Sequence, residues 1–423
     1  VLGSSEIRLI IVVLCTALAM HYPMIVDQWL WRGVRDLLGA GAPWMAAYTG
    51  GAMVLAECIG RWCPAWTPRL RRPARWAIAV ALLSGIGLWL ARVPQWLGDY
   101  HGIDLQQFGY VTIEPAEPIG VLISSALIIA GLASGIKASI TAQLETVVAG
   151  ATAVSALFLW TRQISREWPL RFAMLMSCGF TVLFYGYPEK ATPKTLAFVC
   201  WYVYATTLLL REPTWRRVVA SNLFLSLAAF GHGSAMCWLP AHAWYVWRTG
   251  GWQRAAAGIV IFLVPGVLAA ILFATGVALY GGSPWGNIAA PWQWIKQYCI
   301  TNCGYDFFSW VHLQDIFHCL LALAPVATLA IPEAVYKSDT VIERWLRLGL
   351  AGWLFLNFTW FPVFGYVGDW DIFAGAPLVA ALLVITVAGR TMPPDNFRRF
   401  ALLWIAGSGL HTWSWWRFFR LPL

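Results

Sequence analysis

Long apolar runs, broken only by short charged or Gly- and Pro-rich joints, recur from one end of this chain to the other. Ile7–Ile25, Trp44–Trp62 and Trp76–Val93 are the first three. About 20 apolar residues cross the hydrocarbon of a bilayer as a helix, and a backbone in lipid must satisfy its own hydrogen bonds. Composition agrees: 59% of residues are hydrophobic and 12% are charged, against about 25% charged in a soluble domain. The expected fold is therefore an all-α polytopic membrane protein of roughly 11–13 spans, with juxtamembrane helices at its outer face. No soluble domain is expected.

The net charge of +9 does not point to nucleic acid, because the cations sit in short loops between spans, where the positive-inside bias puts them. Arg69, Arg71, Arg72 and Arg75 follow the second run and set the inner side. Many of the 28 Trp suit interfacial belts, and some suit a sugar or polyprenyl path. The nine Cys form no CxxC pair, so metal binding by Cys is not expected. Cys299 and Cys303 lie four apart in an outer loop, where a disulfide and two free thiols are both open.

Taken in order, Asp27–Leu38 reads as an interfacial amphipathic helix, and Trp76–Val93 runs outward. Ile119–Ile136 is read as lying on or dipping into the outer leaflet, which keeps Arg162, Arg166 and Arg171 inside. Val147–Trp160, Phe172–Tyr185, Leu196–Leu210, Val218–Phe230, Ala235–Trp247 and Ala255–Leu279 then alternate in direction. Ile316–Ile331 goes in, Glu333–Arg347 is a charged inner connector, and Leu348–Pro362, Phe373–Ala388 and Phe400–Leu410 complete the chain. The whole is one transmembrane domain: extra N-terminal spans in 1–74, a core in 75–390 and a C-terminal helix in 391–423.

With that topology, the first large outer loop, Pro94–Gly120, carries Asp99, His101, Asp104, Glu114 and Glu117 and no Lys or Arg. Asp99, just beyond a span, could act as a general base or orient a divalent cation; it could equally cap a helix. Asp104 has the same catalytic reading, against that of a polar residue in a wet outer loop. The same face gathers Tyr187, Glu189 and Lys190 from one turn, and His232 between two glycines. It also gathers Lys296, the i,i+3 pair His312 and Asp315, and Asp369-Trp370-Asp371 before a span. Ionisable groups at membrane depth line cavities or pair with one another, so these residues are expected to meet in one polar site. Trp370 offers a face for a sugar ring, and Lys190, Lys194 and Lys296 suit a lipid phosphate. His242 and His318 fall inside spans and read as structural.

The layout of GDYH at 98–101, followed by a helix after Glu117-Pro118-Ile119-Gly120, resembles the GT-C superfamily of integral-membrane glycosyltransferases. The chain is also similar to a group of bacterial multi-spanning proteins with EPLG-, GYVENY-, FHxSAL-, FSxxHLxD- and DWDLF-like segments. The matches here are Glu117–Gly120, Gly186–Glu189, Gly231–Ala235, Phe308–Asp315 and Asp369–Phe373, in that order from about residue 75 to 390. The resemblance implies transfer of a sugar from a polyprenyl-phosphate donor to a glycan, lipid or protein acceptor at the outer, periplasmic face of a bacterial inner membrane. Asp99 and Asp104 would be catalytic, with or without a divalent metal; His101, Glu117 and the later residues would bind substrate. The chain departs from the family in lacking an adjacent acid pair in the loop. A second reading is a non-catalytic scaffold with the same fold, bound to other membrane subunits. A transporter is disfavoured, since no internal repeat and no mid-span charge cluster is evident.

Overall fold

The computed structural model describes residues 73–92, 118–165, 167–184, 192–279, 310–359 and 372–420, together with Gly51 and Cys58. No strand occurs among the described residues. The helices are α1 (Pro73–Leu90), α2 (Pro118–Ala133), α3 (Ala138–Ile164), α4 (Trp168–Met176), α5 (Thr192–Arg211), α6 (Trp215–Gly231) and α7 (Leu239–Leu279). They continue with α8 (Trp310–Leu323), α9 (Pro325–Lys337), α10 (Val341–Thr359), α11 (Gly375–Thr391) and α12 (Pro394–Arg420). Short 3-10 segments at Gly179–Phe184, Gly233–Trp238 and Ile372–Ala374 join some of them.

Among the described residues, three stretches could cross a membrane alone by length and hydropathy: Pro73–Leu90, Ala138–Ile164 and Gly233–Ile271. Their outward faces are apolar. Leu82, Leu83, Ile86 and Leu90 on α1, and Ile259, Val260, Val267 and Ile271 on α7, are all more than half exposed. Lipid is the solvent that suits such faces. α11 is the opposite case: apolar all round, and buried along nearly its whole length, as a helix at the centre of a bundle must be.

Side-chain contacts fix the direction of each helix. Ser155 donates to the Ala77 carbonyl at 2.8 Å and Gly85 faces Ala151, so α1 and α3 are antiparallel. The Trp160 indole donates to Thr207 at 3.0 Å and Arg211 to the Gln163 carbonyl at 2.8 Å, so α3 and α5 are parallel. Between α6 and α7 the pairs Asn222–Gly258, Ser226–Phe262 and Phe230–Gly266 recur every four residues. Each glycine lets its partner side chain reach the facing backbone.

These registers give the bundle two unlike ends. Arg211, Arg217 and Glu212 gather at one, where Arg254 lies over Trp215. Arg248, Arg344 and Arg347 all act on Tyr245, and Arg390 reaches Lys337 and Glu343. This is the inner end. The turn between α2 and α3, the start of α5 and the end of α6 lie at the other.

Four sequence readings need correction. The run Phe172–Tyr185 is not one span: α4 stops at Met176 and a 3-10 segment follows. Ile316–Ile331 is not straight either, since α8 and α9 meet at 109° around Ala324. There Pro325 lacks the N–H that would continue the helix. Glu333–Arg347 is no loop but two helices with a turn at 338–340. The last helix extends to Arg420, well past Leu410. The expected inner break between Trp247 and Ala255 is present: Gly251 has φ 74, ψ 175, a conformation that only glycine adopts freely. Segment 118–133 is a helix of 16 residues that turns back at Gly135, φ 75, to pack on α3.

Candidate functional site

The outer ends of α2, α3 and α5 enclose a closed polar triangle. Lys194, in the first turn of α5, places its ammonium 2.8 Å from Glu145 Oε1 and donates to Ser124 Oγ at 2.7 Å. Ser124 in turn donates to Glu145 Oε1 at 2.9 Å. The Lys194 and Glu145 side chains are 6% and 7% exposed. Two charges this deep cost several kcal/mol each in lost hydration. Their mutual attraction, with a hydroxyl closing the third side, is what offsets that cost. The result is an ion pair whose ammonium is held in one place.

The end of α6 lies beside this triangle. Gly231 faces Thr195: a Cβ at 231 would sit 2.9 Å from the Thr195 hydroxyl, so a glycine is needed there. His232, buried, leaves the helix in extended backbone and caps the 3-10 segment Gly233–Trp238. Its Nδ1 accepts from the Ser234 amide at 3.1 Å and lies 2.7 Å from the Ser234 hydroxyl. With Nδ1 accepting, the neutral ring carries its proton on Nε2.

α10 links this corner to the next. Its Gly352 and Gly349 receive the Cys237 carbonyl and the Trp238 ring, and near its outer end Phe358 stacks on His312 at 5.6 Å between centroids. His312 is buried and Asp315 half-buried on the first turns of α8. The segment that follows His232 and the ring of His312 thus both pack on α10.

The remaining site residues named from the sequence, Asp99, His101, Asp104, Glu117, Tyr187, Glu189, Lys190, Lys296, Asp369, Trp370 and Asp371, lie outside the described residues. So do Cys299 and Cys303. Lys194, suited in sequence to an outer phosphate, is instead paired with Glu145. Glu145 itself was missed, although a lone acid within an apolar helix is the signal to look for. His242 is structural: its Nδ1 accepts from the Tyr202 hydroxyl at 3.2 Å, and its Nε2 donates to Asn222 at 3.0 Å. Among the described residues no three His, Cys, Asp or Glu side chains are grouped to hold a metal.

No family model matches the chain, and no curated protein matches it in sequence. A solved structure does. ArnT from Cupriavidus metallidurans, in its apo state, superposes with a TM-score of 0.51, covering 83% of this chain and 77% of that one. The fold is GT-C-like. At 11% identity the likeness extends to the arrangement of helices and not to individual side chains. It agrees with the apolar outer surface and two-ended charge pattern in making this a helical membrane protein of that architecture.

Proposed function

We propose that the protein is a GT-C-type glycosyltransferase of a bacterial inner membrane, moving a sugar from a polyprenyl-phosphate donor to an acceptor at the outer face. The observation that carries this reading is the GT-C-like fold with its buried Glu145–Lys194 pair at the end opposite the basic loops. Asp99 activates the acceptor hydroxyl, or holds a divalent cation that does, with Asp104 beside it. Lys190 and Lys296 bind the donor phosphate. His101, Glu117, Tyr187, Glu189, His232, His312, Asp315, Asp369, Trp370 and Asp371 line the pocket. Direct displacement at the anomeric carbon, with inversion, is the simplest course, since phosphate is already a good leaving group.

The test is transfer from a radiolabelled polyprenyl-phosphate sugar by the purified protein in liposomes. Asp99→Asn should abolish transfer while leaving expression and folding intact. Unchanged turnover removes Asp99 from the mechanism.

One observation favours the alternative, a non-catalytic subunit with a GT-C-like fold. The Glu145–Lys194 pair is already neutral, as a purely structural pair would be. Co-purification of a stoichiometric membrane partner, with no transfer from any lipid-linked sugar, would decide for it.

A further inference from the structure

Two helices of this bundle are interrupted inside it, and the two breaks touch. α4 gives way at Ser177 and Cys178 to Gly179–Phe184, and α8 turns into α9 at Ala324. Gly179 lies against the second break: a Cβ there would come within 2.5 Å of the Ala322 carbonyl. Irregular backbone at membrane depth must find hydrogen-bond partners within the protein. Part of that demand is met locally, with Thr328 donating to the Leu320 and Ala324 carbonyls at 2.9 Å each.

Ser177 and Thr181 likewise donate to the Met174 and Cys178 carbonyls, and further partners come from one face of α12. The Trp404 indole donates to the Met174 carbonyl at 3.0 Å, His411 Nε2 to the Ala322 carbonyl at 2.7 Å, and Thr412 to the Ser177 carbonyl at 2.6 Å. Positions 404, 408, 411 and 412 share a helix face. Three of the four therefore serve broken backbone. Ser408, fully buried, has a hydroxyl with no partner and serves none.

What hangs on these breaks is the outer-end site. α8 carries His312 and Asp315, and the 3-10 segment ends at Phe184, which packs on Gly150 of α3, just over one turn from Glu145. We infer that Trp404, His411 and Thr412 are positioning residues: from the C-terminal helix they set how α8 and the Gly179–Phe184 segment stand against α3. The transfer arm of the test below rests on the glycosyltransferase reading; the exchange arm does not.

Hydrogen–deuterium exchange of the full chain in lipid nanodiscs tests it. Thr412→Val and His411→Phe should raise exchange about 5- to 10-fold in 177–184 and 310–323, the change expected from losing one hydrogen bond. Exchange in 195–210 should not move. Thr412→Ser should restore protection, and Ser408→Ala should match the unmodified protein. A uniform rise along the chain, or no rise, overturns the inference. In a transfer assay Thr412→Val should lower kcat several-fold at unchanged donor KM, with Thr412→Ser rescuing it. Transfer indifferent to Thr412→Val also overturns it. If the unmodified protein transfers no sugar, the glycosyltransferase reading fails, and the exchange pattern alone decides the positioning role.

Discussion

The Lys194 ammonium and the Glu145 carboxylate meet 2.8 Å apart with both side chains almost wholly out of solvent. Forty-nine positions separate them in the chain, so the contact exists only if α3 and α5 run parallel in the observed register. Lys194→Met or Glu145→Leu leaves one charge without its partner. Each should cost about 3–5 kcal/mol of stability, as broken buried pairs do. The double change Lys194→Met with Glu145→Leu should recover most of that loss. Chemical unfolding of the four proteins in detergent measures the cycle, and a double change equal to the sum of the singles would show that the pair is uncoupled.

At the inner end, Glu343 accepts from Arg390 Nε at 2.8 Å and Nη2 at 3.0 Å, and from the Asp339 and Thr340 amides at 2.9 and 3.0 Å. In return the Glu343 amide donates to the Thr340 hydroxyl oxygen at 3.3 Å, which makes a capping box at the start of α10. Burial alone would push this carboxyl up, but the Arg390 hydrogen bond and the two amides outweigh it and hold it below its ordinary 4.5. Because the folded value is the lower one, the stabilisation is complete above about pH 4.5 and drains away as pH falls through the folded value. Glu343→Gln should therefore be less stable than the unmodified protein at pH 7, by about 2–4 kcal/mol. The gap should narrow on acidification to pH 3. Unfolding curves at several pH values check the slope; a gap that widens in acid would contradict the assignment.

The clasp at Glu343 and the buried pair at Glu145 differ in how far the sequence announces them. Thr340-Val341-Ile342-Glu343 carries the capping spacing openly. Apolar length gave α1 and α6 to within three residues at each end, and paired glycines in a basic stretch gave the break at Gly251. Hydropathy failed at Phe172–Tyr185 and Ile316–Ile331 because it counts apolar atoms and is blind to where backbone hydrogen bonds point. Those breaks are made by contacts between distant segments, Gly179 on Ala322 and His411 on the same carbonyl. Only Pro325 hinted at one of them. Glu145 looked like an ordinary helix residue until Lys194, from another helix, was placed beside it. The GT-C-like fold expected from the layout of the chain is the fold found, at 11% identity to the solved structure.

Arg171 makes a further prediction through a glycine. Its guanidinium lies over Phe397 at 4.9 Å and donates from Nη1 to the Ile385 carbonyl at 3.2 Å. Its Nε has no hydrogen-bond partner. A Cβ on Gly389 would stand 1.9 Å from Nη2. Gly389→Ala should therefore expel the guanidinium and destabilise the α4–α11 contact by about 1–3 kcal/mol, the usual cost of overpacking. Arg171→Met, which removes a buried charge without stranding a carboxylate, should cost less than about 1 kcal/mol. It should also relieve most of the Gly389→Ala penalty when the two are combined. Thermal unfolding in detergent ranks the three. Full additivity would mean that the methyl group and the guanidinium do not compete for one space.

The two-ended charge pattern makes the last prediction, on which the site's placement depends. If the helix directions are right, the turns at Glu212, Trp252, Asp339 and Pro393 open on one side of the membrane and the turn at Ser134 on the other. All five positions are exposed, so a cysteine at each, in a background without the native cysteines, should react freely with a charged thiol reagent. In sealed right-side-out vesicles only Ser134→Cys should label. In inverted vesicles the other four should label and Ser134→Cys should not. Reversal of the whole pattern would leave the bundle intact but put the Glu145–Lys194 end on the inner side, away from any donor presented at the outer leaflet. A mixed pattern would mean that at least one helix runs against the direction its contacts assign. The first suspect would then be α2, whose 16 residues, about 24 Å of helix at 1.5 Å per residue, are too short for a full crossing and so fix its direction least firmly.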